Sequence, residues 1–156
     1  MEQINLGDQI VCYDSVRTRT AYAAMKSGSA ERCGCPYCRN FLAQRSTVYP
    51  EGFRILLRKL GIDPKKEGEV YEGIVEDSLV GYGGWFYLAG ELVEAGERMT
   101  DAGVGFQYFF RRSHKPTMQA DFGHEVLALE FSTRLSWIIS EESERPVKTD
   151  GYDKSP

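Results

Sequence analysis

The stretch LVGYGGWFYLAGELV, residues 79–93, lies in the part of the chain where β patterns replace helical ones. Its aromatic and branched residues suit a pleated surface. EVYEGIVE, residues 69–76, precedes it, and only Asp77 and Ser78 separate the two runs, which is the spacing of a β-hairpin. We expect the glycines of GYGGW, residues 81–85, to mark close backbone contacts rather than a phosphate loop, because no Lys-Ser or Lys-Thr pair follows.

Two further amphipathic strands follow this hairpin. They are VGFQYFFRR (104–112) and VLALEFSTRLSW (126–137), and the side chains expected on their core faces are Phe106, Tyr108 and Phe110 in the first and Leu127, Leu129, Phe131, Thr133, Leu135 and Trp137 in the second. The connecting segments EAGERMTDAG (94–103) and SHKPTMQADFGH (113–124) are predicted to be loops.

The N-terminal half has one strand and then helical patterns. QIVCY (9–13) predicts a strand, residues 16–26 a first helix and RNFLAQR (39–45) a second; a third follows Pro50, with apolar residues at helical spacing and Gly61 just past its end. Helices grouped before strands predict an α+β fold, an antiparallel sheet of about five strands with two to three N-terminal-half helices packed on one side. We expect residues 1–140 to form a single α+β domain and residues 141–156 a disordered C-terminal tail.

Composition and charge restrict the function. The 156 residues carry a net charge of −4, so the overall field disfavours nucleic acid and anionic lipid. The longest apolar run is far below the roughly 20 residues that a membrane helix needs. We therefore expect a bacterial-type cytoplasmic protein that binds neither nucleic acid nor membrane, whose partner and substrate stay open. In a reducing compartment its four cysteines are more often thiols or metal ligands than disulfides.

CGCPYCRN, residues 33–40, places three of those four cysteines within six positions. Zinc prefers four soft or borderline ligands, and Cys33, Cys35 and Cys38 can supply three. The fourth could come from Cys12, His114, His124 or a carboxylate. A structural, zinc-binding CxCxxC loop in a binding or accessory module is the first hypothesis.

Two other interpretations of the cysteines stay open, and with them whether the protein is an enzyme. CPYC, residues 35–38, is similar to the glutaredoxin motif, and a thiol at a helix N-terminus is activated, so Cys35 could be the nucleophile of a redox enzyme with Cys38 or Cys33 as the resolving partner. The strand and the cis-proline turn that flank the glutaredoxin motif do not match here. Alternatively, the thiols simply pack as small apolar groups.

His114 and His124 flank the last loop and form a second candidate site. With Asp121 and Glu125 they could bind a ligand or act as a general base. Neither GxSxG nor HExxH occurs in the chain, so hydrolase classes have no sequence support.

The segments CGCPYCRNF (33–41), YPEGFRILLRKLGIDPKKEGEVYE (49–72) and YGGWFYLAGELV (82–93) together resemble an uncharacterised bacterial family. In that family a CxCxxCRNF motif precedes LGIDPxK and YGGWF segments, and LEFSTRLSW (129–137) is similar to its closing strand. The resemblance implies an α+β fold and brings no activity with it. It suggests that Arg39 and Asn40 act with the thiols, Arg39 by neutralising them and Asn40 by bracing the loop.

Overall fold

A computed structural model describes residues 1–113 and 120–140 of the chain. The predicted tail, 141–156, lies outside the described residues. Within them the elements are β1 (Glu2–Leu6), β2 (Gln9–Tyr13), α1 (Ser15–Ala24), α2 (Ser29–Cys33), α3 (Pro36–Val48), α4 (Glu51–Leu60), β3 (Glu69–Glu76), β4 (Leu79–Glu94), β5 (Thr100–Gly103), β6 (Phe106–Arg112) and β7 (Val126–Ser136).

The strands form one antiparallel sheet in the order β1-β2-β4-β7-β6-β5, with β3 also paired to β4. β4 has 16 residues and is the centre of this arrangement. Its residues 79–89 pair with β7 along one edge, while β3 pairs with 79–85 and β2 with 90–94. Asp77 and Ser78 both have positive φ, at 49° and 66°, and so confirm the predicted two-residue hairpin between β3 and β4.

The helices α3 and α4 pack on the sheet through an aromatic core. α4 presents Phe53, Leu56, Leu57 and Leu60, all buried at helical spacing, and it ends at Gly61 in the left-handed conformation, as predicted. The Phe53 ring lies 4.8 Å from Phe106, and the Phe106 and Phe131 rings stack at 5.9 Å. The β pattern therefore predicted the core face of β6 and β7 correctly.

The glycines of GYGGW are structural, as predicted. A Cβ on Gly83 would lie 2.3 Å from the Tyr71 ring, which crosses over it from β3. A Cβ on Gly84 would lie 2.4 Å from the carbonyl oxygen of Glu69. Both positions thus permit the close approach of β3 to β4.

The α+β class and the antiparallel sheet are confirmed, but the strand number is wrong. The described residues form seven strands rather than about five, and four helices, of which α2 has only five residues. β1 and β5 were missed because each is a short edge strand with mostly exposed side chains. The segment predicted as the loop 94–103 therefore contains a strand, held by pairing with β6 rather than by its own propensity.

In the described part of the chain, no helix has both the length and the apolar character needed to cross a membrane.

Candidate metal centre

The cysteine loop joins the end of α2 to the start of α3. Cys33 is the last residue of α2, and Gly34 follows with φ +68°, the left-handed conformation that reverses the chain. Cys35 is then the N-cap of α3, with Pro36 in the first turn, and its Sγ accepts a hydrogen bond from the backbone N–H of Cys38 at 3.4 Å. Helix capping thus brings Cys35 and Cys38 onto one side of the first turn.

The three sulfur atoms converge. The Sγ atoms of Cys33, Cys35 and Cys38 all lie within 4.8 Å of one another. Their exposure is graded, since Cys33 is exposed, Cys35 half-buried and Cys38 buried. No other group of three potential metal ligands occurs among the described residues. The CxCxxC spacing therefore predicted a real spatial cluster.

The thiols of this cluster differ electrostatically. A hydrogen bond from the Cys35 backbone, followed by hydrogen bonds from the Cys35 and Cys38 side chains, lowers the pKa of the Cys33 thiol. Burial raises the pKa of the Cys38 thiol well above its usual value, and its two neighbours raise it further. Three neighbouring thiolates repel one another, so a cation at their centre would favour ionisation of all three.

Arg39 and Asn40 hold the loop and the helix in different ways. The Arg39 guanidinium donates to the carbonyl of Gly34 at 2.6 Å and so closes the turn between the two helices. The Asn40 side chain is fully buried, donates to the Tyr82 hydroxyl and the Ser136 carbonyl, and accepts from the N–H of Ile138. Its amide ties α3 to the end of β7 and is already occupied within the fold.

A second polar cluster, here called the acid–base cluster, lies further along α3 and consists of Glu31, Arg45, Tyr49 and Glu67. Arg45 donates to Glu67 at 2.7 and 3.0 Å and also to Glu31 in α2. The Tyr49 hydroxyl donates to Glu67 at 2.8 Å. The Glu67 side chain is 0% exposed, and its burial raises the carboxyl pKa against the opposing effect of Arg45. This cluster fixes α2 against α3 and so fixes the position of Cys33.

A cleft of about 700 Å³ lies beside the cysteine loop. Cys33 lines it together with Lys26, Arg32, Glu69 and Trp85. The wall therefore combines charged groups, a large aromatic ring and the most exposed thiol of the cluster.

Of the remaining predicted site residues that the structure describes, neither Cys12 nor His124 joins the cysteine cluster. Cys12 is half-buried on β2, where its thiol faces the Gln3 side-chain oxygen at 3.8 Å. His124 is exposed and belongs to no group of potential ligands among the described residues, and His114 lies outside them. Asp121 instead pairs with Arg17 at 3.2 Å. The proposed histidine site thus gains no support within the described part of the chain.

Sequence reasoning missed Arg45 and Glu67. Arg45 and Glu67 are 22 positions apart and on different elements, so no local pattern connects them. The one available signal was Glu31, which accepts a hydrogen bond from the Gly28 N–H in the first turn and marks the start of α2.

Comparisons of the chain with protein families, with curated proteins and with solved structures give no match. The resemblance to the CxCxxCRNF family therefore stays a prediction.

Proposed function

We propose that this protein is a small α+β module that binds one zinc ion through Cys33, Cys35 and Cys38 in the bacterial cytoplasm. The observation that carries the proposal is the convergence of three Sγ atoms within 4.8 Å on a loop between two helices. Thiolates are ligands that zinc prefers, and three cysteines together with a fourth ligand are a common set in its protein sites. The N-terminus of α3 adds backbone N–H groups and a helix dipole, which favour thiolates there.

The bound ion has a clear physical role in this position. It neutralises the mutual repulsion of the thiolates, and it links the last residue of α2 to the first turn of α3. α2 has only five residues and cannot be stable alone, so a metal cross-link at its end adds to what the acid–base cluster provides. The metal is thus expected to hold the entrance of the cleft in shape.

Metal analysis of protein purified without oxygen or chelator tests the proposal. We expect close to one zinc per chain, with Cys33, Cys35 and Cys38 protected from a thiol reagent and Cys12 still reactive. Cys35→Ser is expected to lose the zinc and to lower the melting temperature, whereas Cys12→Ser retains both as the matched control. Zinc-free wild-type protein with unprotected thiols after supply of zinc would reject the proposal.

A thiol-dependent redox enzyme is the second candidate. Its support is the exposed Cys33, whose thiol pKa is lowered while its neighbours lie within 4.8 Å. A Cys33 thiolate would attack a substrate disulfide and release one substrate thiol as a mixed disulfide forms. A second cysteine would then attack the Cys33 sulfur of that mixed disulfide and release the other substrate thiol. The protein dithiol becomes a disulfide, and the substrate is reduced by two electrons to two thiols. The exposed thiol makes Cys33 a better nucleophile than Cys35, the residue suggested by the CPYC motif.

Turnover of a small disulfide by metal-free protein, with alkylation to rank the thiols, separates the two candidates. We expect Cys33 to react about tenfold faster than Cys38 in either case, because thiolate fraction and exposure both favour it. With a thiol reductant supplied to regenerate the protein dithiol, only the redox enzyme would reduce a small disulfide faster than the reductant alone, with loss of that activity in Cys33→Ser. Stoichiometric consumption without turnover supports the metal-binding module.

A further inference from the structure

The cleft beside Cys33 contains polar atoms that the fold leaves unused. The Nε1 of Trp85 and the Oγ of Ser29 are buried and have no hydrogen-bond partner among the described residues. Both residues line the cleft. An unpaired buried donor destabilises a fold, so such atoms call for a partner that the described residues do not supply.

The charged and apolar side chains of the cleft wall limit which kind of ligand could be that partner. Lys26 and Arg32 are exposed on the cleft wall and outnumber Glu69, the one acidic side chain there within the described residues. Met25 and the Trp85 ring supply apolar surface. Arg111 holds the ring from the sheet, its guanidinium carbon 5.2 Å from the Trp85 centroid. A small molecule with an anionic group and a short apolar body fits this lining.

The number of protein ligands at the proposed metal site further limits the kind of ligand. Within the described residues, the cluster has three protein ligands and no fourth. Zinc sites with three protein ligands keep the fourth position for water or substrate, whereas structural sites are closed by a fourth side chain. Three thiolates also leave the ion soft, which favours a sulfur donor over a carboxylate at the remaining position.

We propose that the fourth position of the metal opens into the cleft and takes the sulfur of a small thiol that carries a carboxylate, which Lys26, Ser29 and the Trp85 N–H receive. This inference rests on the proposed metal site. On binding, the ligand S–H bond breaks, a sulfur–metal bond forms, the proton passes to solvent and the metal-bound water leaves. No electrons are transferred. The protein is thus a receptor for a small thiol and holds it as a thiolate.

Cobalt(II) substitution makes the step visible, because each thiolate bound to cobalt contributes to a charge-transfer absorption. The probes are mercaptoacetate, with thiol and carboxylate, mercaptoethanol, with thiol only, and acetate, with carboxylate only. We expect mercaptoacetate to raise the charge-transfer absorption with saturation at one equivalent while cobalt stays bound through desalting. Mercaptoethanol is expected to give the same spectrum at higher concentration, and acetate to leave the spectrum unchanged.

Variants of the cleft test the carboxylate contact separately. Lys26→Ala is expected to raise the Kd for mercaptoacetate about fivefold and to leave that for mercaptoethanol unchanged, because a solvated ion pair contributes about 1 kcal/mol. Trp85→Phe removes the N–H and keeps an aromatic ring, and its expected effect on mercaptoacetate is similar. Lys59→Ala, which removes the same charge from the exposed face of α4, is the matched control and changes neither Kd.

The failures of the two proposals are distinguishable. Absence of stoichiometric cobalt binding would reject the metal site itself. Cobalt bound by three thiolates with a spectrum that mercaptoacetate leaves unchanged, or that mercaptoacetate abolishes by extracting the ion, would reject only the open position. His114→Ala gives the decisive comparison. If mercaptoacetate binds the metal in this variant but not in the native protein, His114 is the fourth ligand, and the inference is wrong.

Discussion

The cysteine cluster and the acid–base cluster both join α2 to α3, but they differ in whether their own groups supply the charges and hydrogen bonds that each member needs. In the acid–base cluster every acceptor has a donor, because Glu67 receives Arg45 and Tyr49 and Glu31 receives Arg45 and the Gly28 N–H. In the cysteine cluster the three groups are alike and become mutually repulsive when they ionise. The first cluster is complete within the described residues, whereas the second could hold a cation, and this difference supports the proposed metal site.

The largest expected loss of stability comes from disrupting the acid–base cluster. Glu67→Ala leaves the Arg45 guanidinium, 13% exposed, without its main partner and the Tyr49 hydroxyl without its acceptor. Removal of one member of a buried ion pair costs about 3–5 kcal/mol of unfolding free energy, which urea denaturation measures. Glu76→Ala is the matched control, because its pair with Arg134 is 61% exposed on both sides and its loss costs less than about 1 kcal/mol. Equal effects in the two variants would contradict the distinction between the clusters.

The second largest expected loss of stability comes from removing the proposed metal from the cysteine cluster. Chelation of the metal removes a ligand that binds the folded state alone, and at a free zinc concentration 100 times the Kd this lowers the unfolding free energy by about 2.7 kcal/mol. Thermal unfolding with and without chelator measures the change. The same chelator should leave the melting temperature of Cys35→Ser unchanged, and an equal shift in that variant would show that the stabilising ion lies elsewhere.

The third prediction is that stability falls at alkaline pH because of the buried tyrosine phenols. Burial raises the pKa of Tyr49 and of Tyr22 well above the usual value of 10.0. Above about pH 10 the unfolded chain loses phenol protons that the folded protein keeps, so stability falls with rising pH by about 1.4 kcal/mol per unit and per tyrosine. Urea denaturation between pH 9 and pH 11 measures the slope. Tyr49→Phe is expected to reduce it, and an unaltered slope would show that Tyr49 ionises within the folded protein.

The smallest effect concerns the turn between the cysteines. A Cβ at Gly34 meets no atom within 4 Å, so Gly34→Ala tests the left-handed conformation alone, at φ +68°. We expect a loss of about 1 kcal/mol and weaker zinc binding, measured by denaturation and by competition with a chromophoric chelator. Gly52→Ala is the control, because its Cβ also meets no atom but its backbone is helical, and it is expected to stabilise by about 0.5 kcal/mol. A loss in both variants would exclude strain as the cause.

Local patterns predicted the elements that carry their own signal. α4 combines helical spacing, Glu51 in the first turn and Gly61 after the end, and the structure has it over Glu51–Leu60. β1 and β5 were missed because EQINL and TDAG are short and depend on their neighbours for pairing. The spacing of the cysteines predicted their convergence, since an N-cap and the third helical residue lie on one side of a turn. The cleft could not be predicted, because Lys26, Cys33, Glu69 and Trp85 meet only through tertiary structure.

The central position of β4 has a consequence for how the protein opens. β7 pairs with one edge of β4 over residues 79–89. On the other edge, β3 pairs with residues 79–85, and two hydroxyls of α1 bond to the backbone beyond them. The Tyr22 hydroxyl donates to the Tyr87 carbonyl, and the Thr18 hydroxyl accepts from the Ala89 N–H. Among the described strands, β2, β3 and β7 cannot separate without breaking bonds to this strand. In heavy water we expect its amides to exchange last, at the rate of global opening, while those of the cysteine loop exchange early.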